Sequence, residues 1–268
     1  QNEIYIKYHK SDIEHIFRYI NFRYLFYLTS SKKINIGYPP YLLIEPVSAC
    51  NLRCPFCFQT DKTFTKKPYM GTIDFDLFKK VVDEANLLGV GAITIASRGE
   101  PTLHKNLKNM LKYFKTKKNI FEIKLNTNAT LLTEELCHEI FKNKITQVVI
   151  SADHYEKESF EKLRKNSNFE KVVNNVDMLF SIRKQYKNSI TEIRVSGVNY
   201  YKNLDQNKFY NFWIKRCDHV SSGYALERWD TYNNLEHPDI NDPCEIMWDR
   251  MYVWFDGKVN PCDADYKS

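Results

Sequence analysis

The sequence predicts an α/β protein built on a parallel sheet or a partial barrel. Short apolar strands alternate with amphipathic helices about six times along the chain, a pattern typical of parallel strands joined by right-handed helical crossovers. The chain has 268 residues, enough for one large domain with an appendage or for two compact units. Hydrophobic residues make up 43% of it, so a packed core can form and wholesale disorder is excluded.

Residues 1–38 are predicted to form a helical extension ahead of the first strand. Their apolar positions repeat with helical spacing, and the resulting stripe consists of Ile13, Ile16, Phe17, Ile20 and Phe26. We expect this helix to pack on the main domain; a partner-binding arm is the alternative.

The following strands and helices are predicted from apolar runs, capping residues and glycine. The first strand covers residues 42–45, and the next helix is capped by Asp74 and ends at Gly89. The later strands are residues 92–96, 121–125, 148–150, 190–195 and 220–226, and the helices between them include residues 107–114, 133–141, 172–180 and 203–215.

The last segment has a different character. Two apolar runs, residues 251–255 and 258–259, flank Asp256-Gly257, and this dipeptide between strands predicts a hairpin with a two-residue turn. The preceding stretch, residues 231–243, is polar, and we place a domain boundary in it. The predicted organisation is a helical extension over 1–38, a barrel over 39–235 and the start of a second domain over 236–268.

Charge and hydropathy exclude several classes of protein. The formal net charge is +6, and the lysines are spread along the chain rather than clustered, which disfavours a nucleic-acid partner. No stretch approaches about 18 uncharged apolar residues, so no membrane span is predicted. The start of the sequence lacks the basic and apolar regions of a signal peptide, and we expect a cytoplasmic protein with reduced thiols.

Seven cysteines are present, and an odd number is a poor basis for a disulfide framework. Three of them, Cys50, Cys54 and Cys57, follow the first strand, at the edge of a parallel sheet where ligands bind. A structural zinc site needs a fourth ligand, and the next histidine along the chain is His104. Three cysteines on a four-iron cluster would leave one iron open to a substrate or cofactor. A zinc loop or a set of buried thiols is the alternative.

The loop around these cysteines resembles the cluster loop of the radical S-adenosylmethionine (radical SAM) superfamily. The resemblance rests on the spacing Cys50-x3-Cys54-x2-Cys57, on Phe56 before the last cysteine, and on the preceding run Ile44-Glu45-Pro46. It implies a (β/α)6 partial TIM barrel and a [4Fe–4S] cluster whose open iron binds SAM. In that superfamily a reduced donor such as flavodoxin or ferredoxin drives cleavage of SAM to a 5'-deoxyadenosyl radical, which abstracts a hydrogen atom from substrate.

Shorter motifs later in the chain resemble the SAM-binding segments of the same superfamily. Gly99-Glu100-Pro101 resembles the motif whose glutamate accepts a hydrogen bond from the SAM ammonium, a charge-assisted pair. Arg98 stands where many relatives have a second glycine, and Ala129 replaces the glycine that usually follows strand three. The resemblance implies a SAM site formed by Phe56, Gly99, Glu100, Pro101, Asn128, Ser151, Asp153, Arg194 and Val198. Plain turns and a surface arginine are the alternatives.

Two C-terminal cysteines, Cys244 and Cys262, flank the predicted hairpin. Their spacing resembles the start of the SPASM and twitch domains, which hold an auxiliary [4Fe–4S] cluster. Because two ligands cannot hold such a cluster alone, we expect the complete protein to continue beyond Ser268; two buried cysteines beside a hairpin are the alternative. Cys137 is predicted to be a core thiol, and Cys217 is left open as a core thiol, a ligand or a hydrogen-atom donor.

The resemblance implies an enzyme, and it is specific for the superfamily rather than for a substrate. Our leading hypothesis is hydrogen abstraction from a small polar, sugar-like substrate for oxidation (dehydrogenation) or epimerisation, with Tyr224, Arg228 and Trp229 as candidate substrate contacts. Modification of a peptide or protein side chain by a maturase is the first alternative. A non-catalytic iron–sulfur or zinc-binding structural protein is the second.

Overall fold

The computed structural model describes residues 5, 9, 12–143, 145–225, 232 and 243–268. Its strands are β1 (Tyr41–Ile44), β2 (Ala92–Ile95), β3 (Glu122–Thr127), β4 (Gln147–Ser151), β5 (Glu192–Asn199), β6 (His219–Tyr224), β7 (Arg250–Val253) and β8 (Val259–Asn260). Its α-helices are α1 (Ile13–Lys32), α2 (Phe75–Leu88), α3 (Leu107–Tyr113), α4 (Glu134–Lys142), α5 (Lys157–Leu163), α6 (Phe169–Arg183), α7 (Gln206–Trp213) and the short α8 (Ile246–Asp249).

The described strands form one sheet in the order β6-β5-β4-β3-β2-β1-β7-β8. The pairs from β1 to β6 are all parallel, which confirms the predicted α/β fold with six parallel strands. The predicted ends of α2 are confirmed as well: Asp74 accepts from the Asp76 amide at 2.8 Å, and Gly89 ends the helix with a φ of 88°. Thr133, the first residue of the helix predicted over 133–141, caps α4 by accepting from the Leu136 amide at 3.2 Å.

Alternate residues of the central strands face the helices and form the main core. These helix-facing residues are buried aliphatic side chains: Ile93, Ile95, Ile123, Leu125, Val148, Ile150, Ile193 and Val195. The residues between them point to the other side of the sheet because the side-chain period of a strand is two. We call that side the lumen face and define it by Thr94, Lys124, Asn126, Val149 and Arg194. The lumen face is more polar than the helix-facing side, so its side chains can form hydrogen bonds and ion pairs with a polar ligand.

The predicted apolar stripe of α1 is wrong in part. Ile13 and Phe17 are 63% and 65% exposed, and Ile20 is exposed as well, whereas Ile16 is buried and Phe26 is partly buried. The buried face of α1 consists of His15, Ile16, Tyr19, Phe22 and Thr29. Polar anchors explain the rotation of the helix: Glu122 accepts hydrogen bonds from Tyr19 Oη at 3.0 Å and Arg23 Nη1 at 3.1 Å.

The C-terminal hairpin is present, but its turn is longer than predicted. Trp254 and Lys258 close a three-residue loop, with Trp254 N to Lys258 O at 2.8 Å. Gly257 has a φ of 84° and donates to the Trp254 carbonyl at 3.0 Å, the geometry of a turn followed by a left-handed bulge residue. Strand β7 pairs in parallel with β1, so the hairpin extends the barrel sheet; most of the boundary predicted over 231–243 lies outside the described residues.

Of the helices in the described ranges, none combines the length and apolar character needed to cross a bilayer.

Candidate active site

The three clustered cysteines lie in a loop that leaves the carboxyl end of β1. Cys54 is buried, and Cys50 and Cys57 are partly buried. The Cys57 amide donates to the Cys54 carbonyl at 3.0 Å, and Arg53 Nη1 donates to the carbonyls of Cys50 and Leu52, both at 2.7 Å. These contacts to the backbone fix how the three thiols are presented at this edge of the sheet.

Burial makes these thiols weak acids in the absence of a metal. It raises the pKa of Cys54 to about 11 and that of Cys57 to about 12, and it raises the pKa of Cys50 as well. Iron binding would displace the protons, because metals coordinate thiolates. Within the described ranges no three His, Cys, Asp or Glu side chains converge on a single ion; a polynuclear cluster needs no such convergence, since each cysteine binds a different iron.

Glu100 follows β2 at the same edge of the sheet, and its carboxylate is buried. Oε1 accepts from the hydroxyls of Thr127 and Thr102, both at 2.6 Å, and Oε2 accepts from the Asn128 amide at 2.7 Å. The ion pairs within the described residues do not include Glu100. Burial raises the pKa of this carboxyl, and an ammonium group placed against it would oppose that effect.

Gly99 has a steric reason to be glycine. A Cβ built on it would lie 2.1 Å from the Val47 carbonyl oxygen and 2.4 Å from that of Ala49. The Glu100 amide donates to the Ala49 carbonyl at 2.9 Å, and the buried Pro101 then begins a short 3-10 helix over Pro101–Leu103. This close approach of two backbones attaches the Glu100 motif to the cysteine loop.

Asn128, just after β3, connects the cysteine loop with Glu100. Its Nδ2 donates to Asn51 Oδ1 at 2.9 Å and lies 3.9 Å from Cys50 Sγ. Ala129, the next residue, has a φ of 60°, a left-handed conformation that glycine adopts with less strain. The replacement of glycine at this position therefore carries a conformational cost.

Asp153, two residues after the end of β4 at Ser151, forms a buried ion pair. Its carboxylate accepts from Arg164 Nε at 2.6 Å and Nη2 at 3.1 Å, and from the Val198 amide at 2.8 Å. Burial raises the pKa of Cys54, and the positive charge of Arg164 opposes that shift. Asp153 thus positions Arg164 beside the cysteine loop and holds the end of β5.

Three of the predicted cofactor and substrate residues line one cavity. Phe56, Val198 and Tyr224, together with Cys57 and Asp263, surround about 350 Å³. The cavity lies between the cysteine loop, the ends of β5 and β6, and the C-terminal segment. A molecule held at the cysteines therefore has room on this side.

Arg194 is the third residue of β5 and lies on the lumen face, toward the amino end of that strand. It is opposite Val149 in the register, and its Nε and Nη2 donate to Ser221 Oγ at 3.2 and 2.8 Å. The structure therefore brings Arg194 near the amino end of β5, facing the barrel lumen, rather than to the carboxyl ends of the strands, where the cysteine loop lies. The candidate substrate contacts Arg228 and Trp229 lie outside the described residues.

A comparison with known protein families decides which family this arrangement represents. The profile of the Radical SAM superfamily matches residues 44–193, more than half of the chain, and this range contains the cysteine loop, Glu100 and Asp153. The chain belongs to the radical SAM superfamily. Enzymes of this superfamily use a [4Fe–4S] cluster and SAM, so the predicted enzyme class and its two cofactors are confirmed.

Two curated relatives match part of this radical SAM protein. The tungsten-containing aldehyde ferredoxin oxidoreductase cofactor-modifying protein of Pyrococcus furiosus is 35% identical over 114 residues, which are 42% of this chain and 30% of the relative. GTP 3',8-cyclase of Clostridium botulinum is 30% identical over 169 residues, 63% of this chain and 50% of the relative. The chain thus spans half or less of the length of these relatives.

Three solved structures share the fold of this radical SAM protein. Streptococcus suis SuiB bound to precursor peptide SuiA superposes with a TM-score of 0.65 at 15% identity, over 95% of this chain and 64% of SuiB. Native anSMEcpe with bound AdoMet gives 0.62 at 21% identity, over 84% and 75%. BtrN in complex with AdoMet and 2-DOIA gives 0.54 at 16% identity, over 87% and 76%. The predicted partial barrel is confirmed.

Arg98, which stands where many members of the superfamily have a second glycine, points to the end of β1 and to the C-terminal segment. It is buried and pairs with the buried Glu45, Nε to Oε2 and Nη2 to Oε1 both at 2.6 Å. Its Nη1 donates to the Tyr266 carbonyl at 2.8 Å, and its guanidinium lies 4.0 Å from the ring centroid of Trp254. Arg98 therefore joins the end of β1 to the C-terminal segment.

The C-terminal segment packs against the residues that follow the cysteine loop. Tyr266 stacks on Phe58 with ring centroids 5.0 Å apart, and its hydroxyl donates to Asp61 Oδ2 at 2.9 Å. Cys262, four residues before Tyr266, is partly buried, whereas Cys244 is exposed. An auxiliary cluster at these two cysteines stays a prediction.

The other two cysteines of this radical SAM protein lie in the main core. Cys137 is fully buried on α4, which confirms the prediction of a core thiol. Cys217 is also buried; its Sγ donates to the Trp213 carbonyl at 3.1 Å, and burial raises its pKa to about 11. Of the three roles left open for Cys217, the structure supports the core thiol.

Sequence reasoning missed two buried polar residues of the site, Gln59 and Arg164. Gln59 Nε2 donates to the carbonyls of Ser48 and Arg98 at 2.7 and 2.6 Å, and its buried Oε1 has no hydrogen-bond partner among the described residues. Gln59 could have been suspected from its place two residues after Cys57, but Arg164 has no local sequence signal.

Proposed function

We propose that this protein cleaves SAM reductively at a [4Fe–4S] cluster held by Cys50, Cys54 and Cys57 and abstracts a hydrogen atom from a small polar, sugar-like substrate. The outcome is oxidation (dehydrogenation) or epimerisation of that substrate. The observation that carries the proposal is the buried carboxylate of Glu100, unpaired within the described residues, beside the cysteine loop. When bound, the reduced cluster and SAM supply the hydrogen-abstracting radical.

The residues of the chain bind and orient SAM in this proposal. Glu100 accepts hydrogen bonds from the ammonium group, and the missing side chain of Gly99 lets the cysteine loop lie close to it. Asp153 is a positioning residue, because its oxygens are already engaged by Arg164 and Val198. The remaining proposed SAM contacts lie at the strand ends or along the 350 Å³ cavity: Phe56, Pro101, Asn128, Ser151 and Val198.

Detection of the SAM cleavage products tests this proposal directly. The protein is reconstituted anaerobically with iron and sulfide and incubated with SAM and dithionite, and 5'-deoxyadenosine and methionine are quantified. We expect both products from the wild type and neither from Cys54→Ala. Cys137→Ala is the matched control, since it removes a buried thiol from the core and should keep both iron and activity. Equal product from wild type and Cys54→Ala would refute the proposal.

Deuterium transfer identifies the substrate class. A candidate polyol or sugar labelled with deuterium at carbon should pass the label to 5'-deoxyadenosine if the small-molecule proposal holds. Transfer from a labelled peptide, with none from the small molecules, would instead favour a maturase. Zinc near one equivalent per chain, without iron–sulfur absorbance, would favour the structural alternative.

The organisation of the complete protein is part of the same proposal. We divide the chain into a helical extension (1–38), a radical SAM barrel (39–235) and the start of an auxiliary-cluster domain (236–268), with Cys244 and Cys262 as the first auxiliary ligands. A flavodoxin or ferredoxin in the cytoplasm would supply the electron. Packing of Tyr266 on Phe58 supports a position of that domain close to the SAM site.

A further inference from the structure

Two cations of the lumen face, Lys124 and Arg194, form no ion pair with a carboxylate among the described residues. Lys124 on β3 is partly buried, and no hydrogen bond or ion pair of its ammonium group occurs among the residues described. Arg194 on β5 bonds only to the neutral hydroxyl of Ser221 within the same residues. Buried or half-buried cations in proteins are normally paired, since desolvating a lone charge is costly.

The carboxylates near this region already have partners. Glu122 accepts from Arg23 at 3.1 Å and from Tyr19 at 3.0 Å, and Asp249 binds Arg250 at 2.6 Å. A third acid, Glu192, is buried two residues before Arg194 on β5; its Oε2 accepts from Gln147 Nε2 at 3.4 Å and lies 3.7 Å from His219 Nε2. Each of the three acids is thus engaged by another residue, and none of them forms an ion pair with Lys124 or Arg194 among the described residues.

The positive charges of two arginines, Arg194 and Arg250, act on the ammonium group of Lys124. Burial lowers its pKa; the negative charge of Glu122 acts in the opposite direction, and the positive charges of Arg194 and Arg250 lower the pKa further. Lys124 also lines a cavity of about 310 Å³ near the amino ends of the strands, together with Arg23, Glu122 and Arg250. The cavity is separated from the cysteine loop along the strand direction, because Lys124 precedes Asn128 by four residues, which span about 13 Å in a strand.

A polar acceptor faces the same space. Asn126, two residues after Lys124 on the same side of β3, has a buried Oδ1 that accepts no hydrogen bond from any described residue. In the register Asn126 is opposite Val149, which is opposite Arg194. The lumen face thus offers two cations for an anionic group and one acceptor for a hydroxyl or amino group.

We propose that the substrate carries an anionic group, a phosphate or a carboxylate, which binds in the barrel lumen between Lys124 and Arg194. This inference rests on the proposed function, because it names the substrate class of the same site. Asn126 Oδ1 would accept from a hydroxyl or amino group of that substrate. The anionic end then lies deep in the lumen, and the rest of the molecule extends toward the cysteine loop. Arg194 is thereby assigned to the substrate rather than to SAM.

Binding of inorganic phosphate and of malonate tests the assignment. Anaerobic calorimetry on the cluster-loaded protein, at constant ionic strength in chloride, measures Kd for each anion. We expect saturable binding by the wild type. The Kd should be at least about tenfold higher for Lys124→Gln and for Arg194→Gln. Lys124→Arg keeps the charge and should retain binding, and Lys208→Gln, on exposed α7, should bind as the wild type does. Tighter binding of phosphate would indicate a phosphate ester, and tighter binding of malonate a carboxylate.

Two results would overturn the inference: no saturable binding of either anion by the wild type, or unchanged Kd in both charge-removing variants. Iron content and circular dichroism verify the fold of each variant. The assay for 5'-deoxyadenosine on the wild-type preparation separates the two proposals. Product formation without anion binding would refute only the anionic substrate, and anion binding without product would refute only the proposed function.

Discussion

Replacement of Arg98 by methionine should destabilise the fold strongly. The Arg98–Glu45 pair has both partners buried and two contacts of 2.6 Å, and Arg98→Met would leave the Glu45 carboxylate without its counter-charge. Removing one partner of a buried ion pair costs about 3–5 kcal/mol. At about 2–4 °C per kcal/mol for a domain of this size, the unfolding temperature should fall by roughly 6–20 °C.

A matched surface pair isolates the effect of burial. Lys108 and Glu135 also lie 2.6 Å apart, but their side chains are 39% and 70% exposed, so Lys108→Met should cost at most about 1 kcal/mol. The double variant Arg98→Met with Glu45→Gln should recover part of the loss, because it removes the unpaired charge.

Urea denaturation under reducing conditions measures the free energy of unfolding of all four proteins. A loss below about 1 kcal/mol in Arg98→Met, or a loss equal to that of Lys108→Met, would refute the argument that burial makes this pair essential.

Four further predictions concern Glu100, Gly99 and Arg164. Glu100→Gln should weaken SAM binding about ten- to hundredfold in equilibrium dialysis, since a charge-assisted hydrogen bond contributes about 1.5–3 kcal/mol. Without SAM, the wild type should lose stability as the pH rises above the ordinary range of carboxyl pKa values. Burial raises the pKa of Glu100, so the native protein holds more protons than the unfolded protein in that pH range. Glu100→Gln should not show this part of the loss. Gly99→Ala should lower the free energy of unfolding by at least about 1–3 kcal/mol, because the new Cβ would lie 2.1 Å from a backbone oxygen. A Cβ at Gly223 would have no atom within 4 Å, so Gly223→Ala should change the free energy of unfolding by at most about 0.5 kcal/mol. Arg164→Met should cost about 3–5 kcal/mol in urea unfolding, since it leaves the buried Asp153 unpaired.

Each of these has a contrary outcome. An equal loss of stability with rising pH in the wild type and in Glu100→Gln would show that the loss does not come from Glu100. Wild-type SAM affinity in Glu100→Gln would remove Glu100 from the binding site. Equal stability of the two glycine variants would show that the cysteine loop can move away from Gly99. A loss in Arg164→Met no larger than that in Lys108→Met would mean that Asp153 is solvated rather than buried.

Sequence reasoning succeeded where the signal is local. The helix caps Asp74 and Thr133 act on amides two or three residues away, so they could be read from spacing. It failed for α1, because both faces of that helix carry apolar residues, and contacts with the distant Glu122 decide which face is buried. The hairpin was predicted correctly in position, but its three-residue loop depends on the pairing of Trp254 with Lys258.

The cysteine loop, the family resemblance and the alternation of strands and helices could be read from the sequence alone, because spacing within a few residues specifies ligands, caps and strand periodicity. The roles of polar residues that meet across long stretches of chain depend on the fold. Arg98 meets Glu45 across 53 positions, Arg164 reaches the cysteine loop through the turn after α5, and Lys124 and Arg194 face one lumen from separate strands. A charge is paired or unpaired only with respect to its neighbours in space, and those neighbours are set by the fold.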